Sequence, residues 1–226
     1  MRWMPIAAVA MIVALTACSG AQHSSADDQS PKDRLSQAKK SFDDADYIGF
    51  TLSTEELPAG TQGLVRAEGT GTHEPAFTGE VQVQTTVDLN APLIAVSGAV
   101  YAQLPFVGWS RLDPADYGAP DPADLMDSRG GISSLFTASG NLSTGPSERD
   151  GEDVLTTIDG TLPSAAVDEV FPSVGASDFT VTYTLTDSND VRSVRITGPF
   201  YDGSPDVTYT IDLNLDAAPV DIEAPS

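Results

Sequence analysis

The chain has 226 residues, 33 of them acidic and 11 basic, for a formal charge of −22, and it contains one cysteine and two histidines. That balance lacks the basic footprint that phosphate backbones and anionic headgroups require, so nucleic acid is excluded as a partner and charge alone does not hold the protein to a bilayer. One cysteine forms no intramolecular disulfide and, with two histidines, supplies too few ligands for a zinc cage; stability has to come from packing, without a cofactor or metal.

Met1-Arg2 precedes an apolar run from Ile6 to Leu15. The run is shorter than the ~20 residues a membrane-spanning helix needs, and it reads as a signal peptide. It ends in Leu15-Thr16-Ala17-Cys18, the pattern of a bacterial lipobox, in which the bond before the cysteine is cut and the Cys18 sulfur is acylated. The expected organisation is a leader over residues 1–17, a lipidated N-terminus and polar tether over 18–30, and a single domain over 31–226. Two or more acyl chains give stable anchoring. The expected location is therefore the cell membrane, lipid-anchored and facing the periplasm or outer envelope.

Ser19 to Gln29 is small, polar and aperiodic, as a flexible tether is. At Ser30-Pro31-Lys32-Asp33 the pattern becomes helical: Ser30 suits an N-cap, Pro31 the first helical position, and Asp33 the positive first turn. Leu35, Ala38, Phe42 and Ala45 follow at helical spacing, which predicts an amphipathic helix of about four turns.

From Tyr47 the period shifts to two. Ile48, Phe50 and Leu52 alternate with small residues; a second strand starts near Leu64 and Val65 and ends around His73. Phe77, Gly79, Val81, Val83, Thr85 and Val87 then form one face of a third strand, with Thr78, Glu80, Gln82, Gln84, Thr86 and Asp88 on the other. Asn90-Ala91-Pro92 reads as a turn. Leu93 to Val96 and Ala99 to Leu104 flank Ser97-Gly98, a hairpin connection, and a strand around Trp109 follows.

Asp113-Pro114-Ala115-Asp116 and Asp121-Pro122-Ala123-Asp124 interrupt the strands. Four carboxylates could bind Ca²⁺, but the spaced acidic loop with its distal Glu is missing, and capping of short turns by Asp113 and Asp121, with Pro114 or Pro122 in first position, is favoured. Gly130-Gly131 precedes a short helix bearing Ile132, Leu135 and Phe136. Val154 to Ile158 forms another strand, and Pro163 to Phe171 a second short helix carrying Ala166, Val167, Val170 and Phe171, stopped by Pro172. Phe179 to Leu185, Val191 to Phe200 and Val207 to Leu215 close the domain as strands, the first two joined by a turn at Asp187-Ser188-Asn189-Asp190. Nine or ten strands with three helices make an α+β fold on an antiparallel sheet, long enough to curl and enclose a hollow.

No G-x-S-x-G elbow occurs, only His73 of the two histidines falls in the folded region, and nothing singles out a carboxylate pair, so the chain is read as no enzyme. The lipobox, the tether, the first helix, the stretch Gly98-Ala99-Val100-Tyr101-Ala102-Gln103-Leu104 followed by Trp109, and the run through Tyr117, Asp121-Pro122-Ala123, Gly131-Ile132 and Leu135-Phe136 together resemble the mycobacterial LppX/LprA/LprF/LprG lipoprotein family, an LprG-like pattern across the mature domain. The resemblance implies a strongly curved antiparallel half-barrel, U-shaped, with helices on its concave face enclosing an apolar cavity. It implies a protein that binds multi-acylated envelope lipids or glycolipids and carries them across the periplasm toward the outer envelope, with an envelope lipid exporter as a further partner; the chain is expected to act as a monomer. Phe50, Leu52, Phe77, Val81, Val83, Val100, Ile132, Leu135, Phe136, Val167, Val170 and Phe171 are then the expected cavity lining, and Cys18 the lipid-modified residue. The competing reading is a structural or interaction lipoprotein with a solid core and no cargo.

Overall fold

A computed structural model describes residues 29–85, 88–171 and 175–225. Cys18, the leader and most of the tether lie outside these residues, as do Thr86, Val87 and Pro172.

Helix α1 (Pro31–Asp43) starts as its sequence predicts: the Ser30 hydroxyl accepts the Asp33 N–H, and Pro31 occupies the first turn, where its missing N–H costs nothing. Its buried face is Arg34, Leu35, Ala38 and Phe42, and Lys39 pairs with Asp43 one turn on at 2.7 Å. Arg34 is an unexpected member of that face. Its Nε donates to Asn189 Oδ1 at 2.6 Å and its Nη2 to the Thr186 carbonyl at 3.0 Å.

Eleven strands among the described residues form one antiparallel sheet: β1 (Ile48–Thr54), β2 (Gly63–Thr72), β3 (Ala76–Gln84), β4 (Leu89–Val96), β5 (Ala99–Leu104), β6 (Gly108–Leu112), β7 (Gly140–Asp150), β8 (Asp153–Leu162), β9 (Phe179–Leu185), β10 (Val191–Gly198) and β11 (Val207–Asn214). Their order is β6-β5-β4-β3-β2-β1-β11-β10-β9-β8-β7, so two meanders are joined where the first strand pairs with the last. The sheet stays open, with β6 and β7 as its edges. Helices α1, α2 (Ile132–Ala138) and α3 (Ser164–Asp168) and a segment linking β6 to α2 contribute Leu35, Phe42, Leu125, Ile132, Phe136 and Val167 to one core with the inner face of the strands. This is the curved half-barrel with helices that the resemblance implied.

The period-two reading holds where burial is one-sided: β1, β9 and β11 alternate buried residues with half-buried or exposed ones along their length. Three readings are corrected. Asn90-Ala91-Pro92 is no turn but part of β4, paired with Gln82, Val81 and Glu80. Pro92 is tolerated because the β4–β5 ladder begins only at Leu93, so its missing N–H faces no partner strand there. The strand count also rises to eleven through β7, whose sequence Gly140–Asp150 is almost wholly exposed and carries no apolar alternation. The second inserted helix is shorter than expected, ending at Asp168. Ser97 (φ 54°) and Gly98 (φ 70°) form the expected left-handed hairpin turn, and Asn189 (φ 68°) sits in the β9–β10 turn.

Candidate functional site

The register places inward-facing residues in rows across the sheet, and their size decides where space remains. One row runs Ile158, Tyr183, Val194, Ile211, Leu52, Ala67, Val81 and Ala91, so large side chains give way to small ones at β2. The neighbouring row runs Leu213, Phe50, Gly69, Gly79, Leu93 and Ala102. Gly69 and Gly79 face each other because the Phe77 ring lies over both: a Cβ on either would come within 2.7 or 2.8 Å of its Cζ. Phe77 in turn meets Phe50 edge to face at 6.2 Å.

The large-residue half of the sheet is covered by the helices, whose apolar side chains pack into its inner face. Phe136 packs edge-on against Phe42 and Tyr183, and the Tyr183 hydroxyl donates to the Leu135 carbonyl at 3.0 Å. Burial pushes that phenol well above its ordinary value, against a smaller opposing effect from Ser139. A polar clasp joins α1 to α2: Lys39 Nζ donates to Asp43, to the Ser128 carbonyl and to Ser133 Oγ, and Ser133 donates to Asp43.

Over the small-residue half lies the linking segment, here called the strap, which runs from Asp113 through 3₁₀ turns at Pro114–Tyr117 and Asp124–Met126. The Asp113 carboxylate accepts the Ala115 N–H at 3.0 Å and caps the first turn as expected; the Asp121 carboxylate accepts the Ala123 N–H at 2.9 Å but does not cap the second, whose N-cap position is Ala123. The second turn begins at Asp124 rather than at Pro122, with Asp121 closing the turn before it. Burial raises the pKa of Asp121, the Ala123 N–H opposes this, and the Asp124 charge adds to it. At its far end the strap is held by His73, whose ring nitrogens lie 2.6 Å from the Met126 carbonyl oxygen and 2.8 Å from that of Phe42.

Between strap and sheet is an apolar pocket of about 50 Å³. Its floor is Ala67, Val81, Val83, Ala91, Leu93 and Ala102, with Leu64 and Leu89 at one end; its roof is Pro114, Tyr117, Ala119, Pro120, Pro122 and Leu125. A second, smaller hollow of about 20 Å³ shares Leu64 and Pro120 with it and is lined further by Leu52, Phe171, Tyr201 and Tyr209. There Tyr201 and Tyr209 share a hydrogen bond of 2.7 Å, and Tyr209 donates to the Leu64 carbonyl at 2.8 Å. On the other side of the strap an open groove of about 700 Å³ carries Arg111, Asp113, Asp116 and Asp121, and it shares Leu112, Pro114, Ala119 and Pro120 with the apolar pocket.

Of the residues expected to line a cavity, Val81 and Val83 line the apolar pocket, and Leu52 and Phe171 the smaller hollow. Phe50, Phe77, Ile132, Leu135, Phe136, Val167 and Val170 are buried in the continuous core, as is Val100, which also borders the open groove. Sequence reasoning missed the whole roof. The available signal was the run of Pro, Ala and Tyr between the two D-P-A-D units, which is apolar without being periodic. The pocket offers contact to hydrocarbon and little else. Among the described residues no cluster of His, Cys, Asp and Glu could hold a metal, and no helix is long and apolar enough to cross a membrane.

The model of the LppX_LprAFG lipoprotein family matches residues 30–221. Among solved structures, LprF from Mycobacterium bovis superposes with a TM-score of 0.71 at 16% identity, covering 87% of this chain and 97% of LprF. The Mycobacterium tuberculosis lipoprotein LppX superposes with a TM-score of 0.62 at 18% identity, covering 85% of this chain and 98% of LppX. At such identities these two likenesses speak to the fold. No curated protein matches the chain significantly.

Proposed function

Because the chain belongs to the LppX_LprAFG lipoprotein family, we propose that it is a membrane-anchored carrier that takes the acyl chains of an envelope lipid or glycolipid between strap and sheet. The observation that carries this reading is the contrast between the two halves of one sheet. Large side chains and helices fill one half, whereas Ala67, Val81, Ala91 and Ala102 leave an apolar space roofed by the strap in the other. Hydrocarbon removed from water gains ~25 cal/mol per Å² of apolar area, which a lining of this chemistry supplies and a catalytic site does not need.

At about 50 Å³ the pocket holds a few water-sized groups by the ~10–15 Å³ each requires, far less than one long acyl chain. Loading therefore requires the strap to lift, and the second hollow, which shares Leu64 and Pro120 with the first and reaches Phe171, gives the direction in which space would extend. Headgroups would stay outside, where the groove around Arg111 and Asp116 is polar. Carriage across the periplasm, anchoring through acylated Cys18, and action as a monomer without catalysis complete the proposal; an exporter would then supply or receive the cargo.

The small closed volume favours one competing reading, a structural lipoprotein with a solid core. Organic extraction of the protein purified from a lipid-rich bacterial host, followed by mass spectrometry, separates the two. The carrier should release acylated lipid in a fixed ratio to protein. Empty extracts from native and heterologous hosts alike would leave the solid-core reading standing.

A further inference from the structure

Phe106 is fully exposed, at 109% of its reference area, and its neighbour Val107 is 71% exposed; they are the large apolar side chains that stand out on an otherwise polar surface among the described residues. Both sit at the tip of the β5–β6 hairpin, closed by the Leu104–Gly108 pair. Phe106 has φ 66°, in the left-handed region where Gly, Asn or Asp is the ordinary occupant. Nothing in the packing calls for an aromatic ring there.

The surroundings of this tip are equally unusual. Residues 89–110 contain no Asp, Glu, Lys or Arg, in a chain that carries 33 acidic and 11 basic residues. Trp109 and Tyr101, half-buried, lie on the outward face of the same hairpin, since Val100 and Ala102 point inward. Trp and Tyr beside an apolar tip are the side chains that settle at a bilayer interface. A formal charge of −22 repels anionic surfaces, so an uncharged window is the part of the molecule that can approach lipid.

The antiparallel register sets the tip at the end of the sheet where β2 starts, β3 ends and β4 starts, the end at which Leu64, Val83 and Leu89 close the apolar pocket. The described chain begins at the other end, where Gln29 accepts a hydrogen bond from Asn189 of the β9–β10 turn. Eleven residues from Ser19 to Gln29 span up to ~36–40 Å when extended, against ~30 Å for the height of a nine-residue strand such as β3. An acylated Cys18 and the hairpin tip can therefore reach the same bilayer plane.

We propose that the Pro105-Phe106-Val107 tip is a membrane-docking finger that inserts into the interface of a neutral or zwitterionic lipid surface and brings that surface to the pocket end of the sheet. The proposal needs a lipid bilayer but no bound cargo, so it stands or falls separately from the carrier reading.

Trp109 makes the test direct. The chain has two tryptophans, Trp3 in the leader segment and Trp109 three residues from Phe106. The core runs from Leu35 to Leu213, so a protein starting at residue 18 with Cys18→Ser keeps every core contact and has Trp109 as its single reporter. Mixed with phosphatidylcholine vesicles, it should show Trp109 emission moved to shorter wavelength and quenched by chain-brominated lipid. Phosphatidylglycerol vesicles should bind it more weakly, with added salt narrowing the difference. Phe106→Asp should lower partitioning about tenfold or more with the melting temperature unchanged, Phe106→Asn should do the same while easing the left-handed backbone, and Phe106→Leu should retain binding. Unquenched Trp109, or Phe106→Asp binding vesicles as well as the parent, would overturn the finger. Lipid extraction from the same Phe106→Asp protein reads cargo independently.

Discussion

Arg34 Nε donates to Asn189 Oδ1 at 2.6 Å, a hydrogen bond between two residues each only 3% exposed and 155 positions apart. It ties α1 to the β9–β10 turn, and the Asn189 amide extends the link to Gln29 and Gln37. Arg34→Met keeps an unbranched apolar stem and removes the guanidinium donors, leaving Asn189 Oδ1 and the Thr186 carbonyl each one hydrogen bond short. The expected loss is ~2 kcal/mol, a fall of ~4–8 °C in melting temperature for a domain of this size, measured by calorimetry.

Val81→Trp places a ring in the floor of the apolar pocket, beneath Pro120 and Pro122. Overpacking should cost ~1–3 kcal/mol because the strap can yield. Lipid recovered per mole of protein should fall about tenfold, equivalent to ~1.4 kcal/mol of lost binding. Mass spectrometry of the extract and a thermal melt check the two effects separately; a fully loaded variant would show that cargo does not occupy this floor.

Asp121 is a half-buried carboxyl whose pKa is raised by burial, so the folded chain holds its proton more tightly than the unfolded chain. Stability from this group therefore rises as pH falls through its folded value, and at neutral pH the ionised form carries the burial cost. Asp121→Asn keeps an oxygen for the Ala123 N–H and discards the charge. It should stabilise the protein at pH ~7 by less than ~1 kcal/mol, given the solvent screening of a half-exposed group, and the gain should vanish below pH ~4. Melting curves across that range provide the check.

Tyr209 has a dependence of the same sign, displaced to alkaline pH. Burial raises its phenol pKa, and the hydrogen bond with Tyr201 adds to the shift. Its contribution is fully present below pH ~10, where an unfolded tyrosine begins to ionise, and is lost as pH climbs beyond. Tyr209→Phe removes the donor to the Leu64 carbonyl and should cost ~1–2 kcal/mol near neutrality. Urea midpoints above pH ~10 should then fall less steeply than in the parent.

Cys18→Ala tests the anchor. The protein should leave the membrane fraction for the soluble one, while the extracted lipid per mole is unchanged, because every pocket residue lies between Leu64 and Leu125. Cell fractionation with lipid analysis of the soluble form reads both.

Much of this architecture was legible in the sequence, for identifiable reasons. α1 announced itself through Ser30, Pro31 and the Leu35, Ala38, Phe42 spacing, and β9 and β11 through strict alternation, because in each case one face is buried and the other wet. β7 was illegible because an exposed edge strand of Ser, Thr, Gly and Pro has no buried face to write a pattern. Pro92 misled because a proline reads as a break unless the absence of a partner strand on one side is known. The pocket was half legible: Val81 and Val83 stood out, but the roof depends on a non-periodic segment folding back over strands that precede it. Likewise, the decisive feature of the floor is the smallness of Ala67, Ala91 and Ala102, visible only once register aligns them.

The strap's composition also bears on how it would yield. Pro114, Pro120 and Pro122 have no N–H to offer the sheet, and the backbone hydrogen bonds of Asp116, Gly118, Ala119 and Asp124 all close within the strap itself. Beyond the His73 contact to Met126 at its far end, its grip on the floor among the described residues is side-chain hydrocarbon against hydrocarbon, an attraction without direction that scales with area. A guest chain sliding beneath it would exchange one such contact for another of the same kind, breaking no ladder. The opening would then be graded, and selectivity would fall on the total bulk of hydrocarbon carried, with a rigid floor setting the position of the cargo and a compliant roof setting its amount.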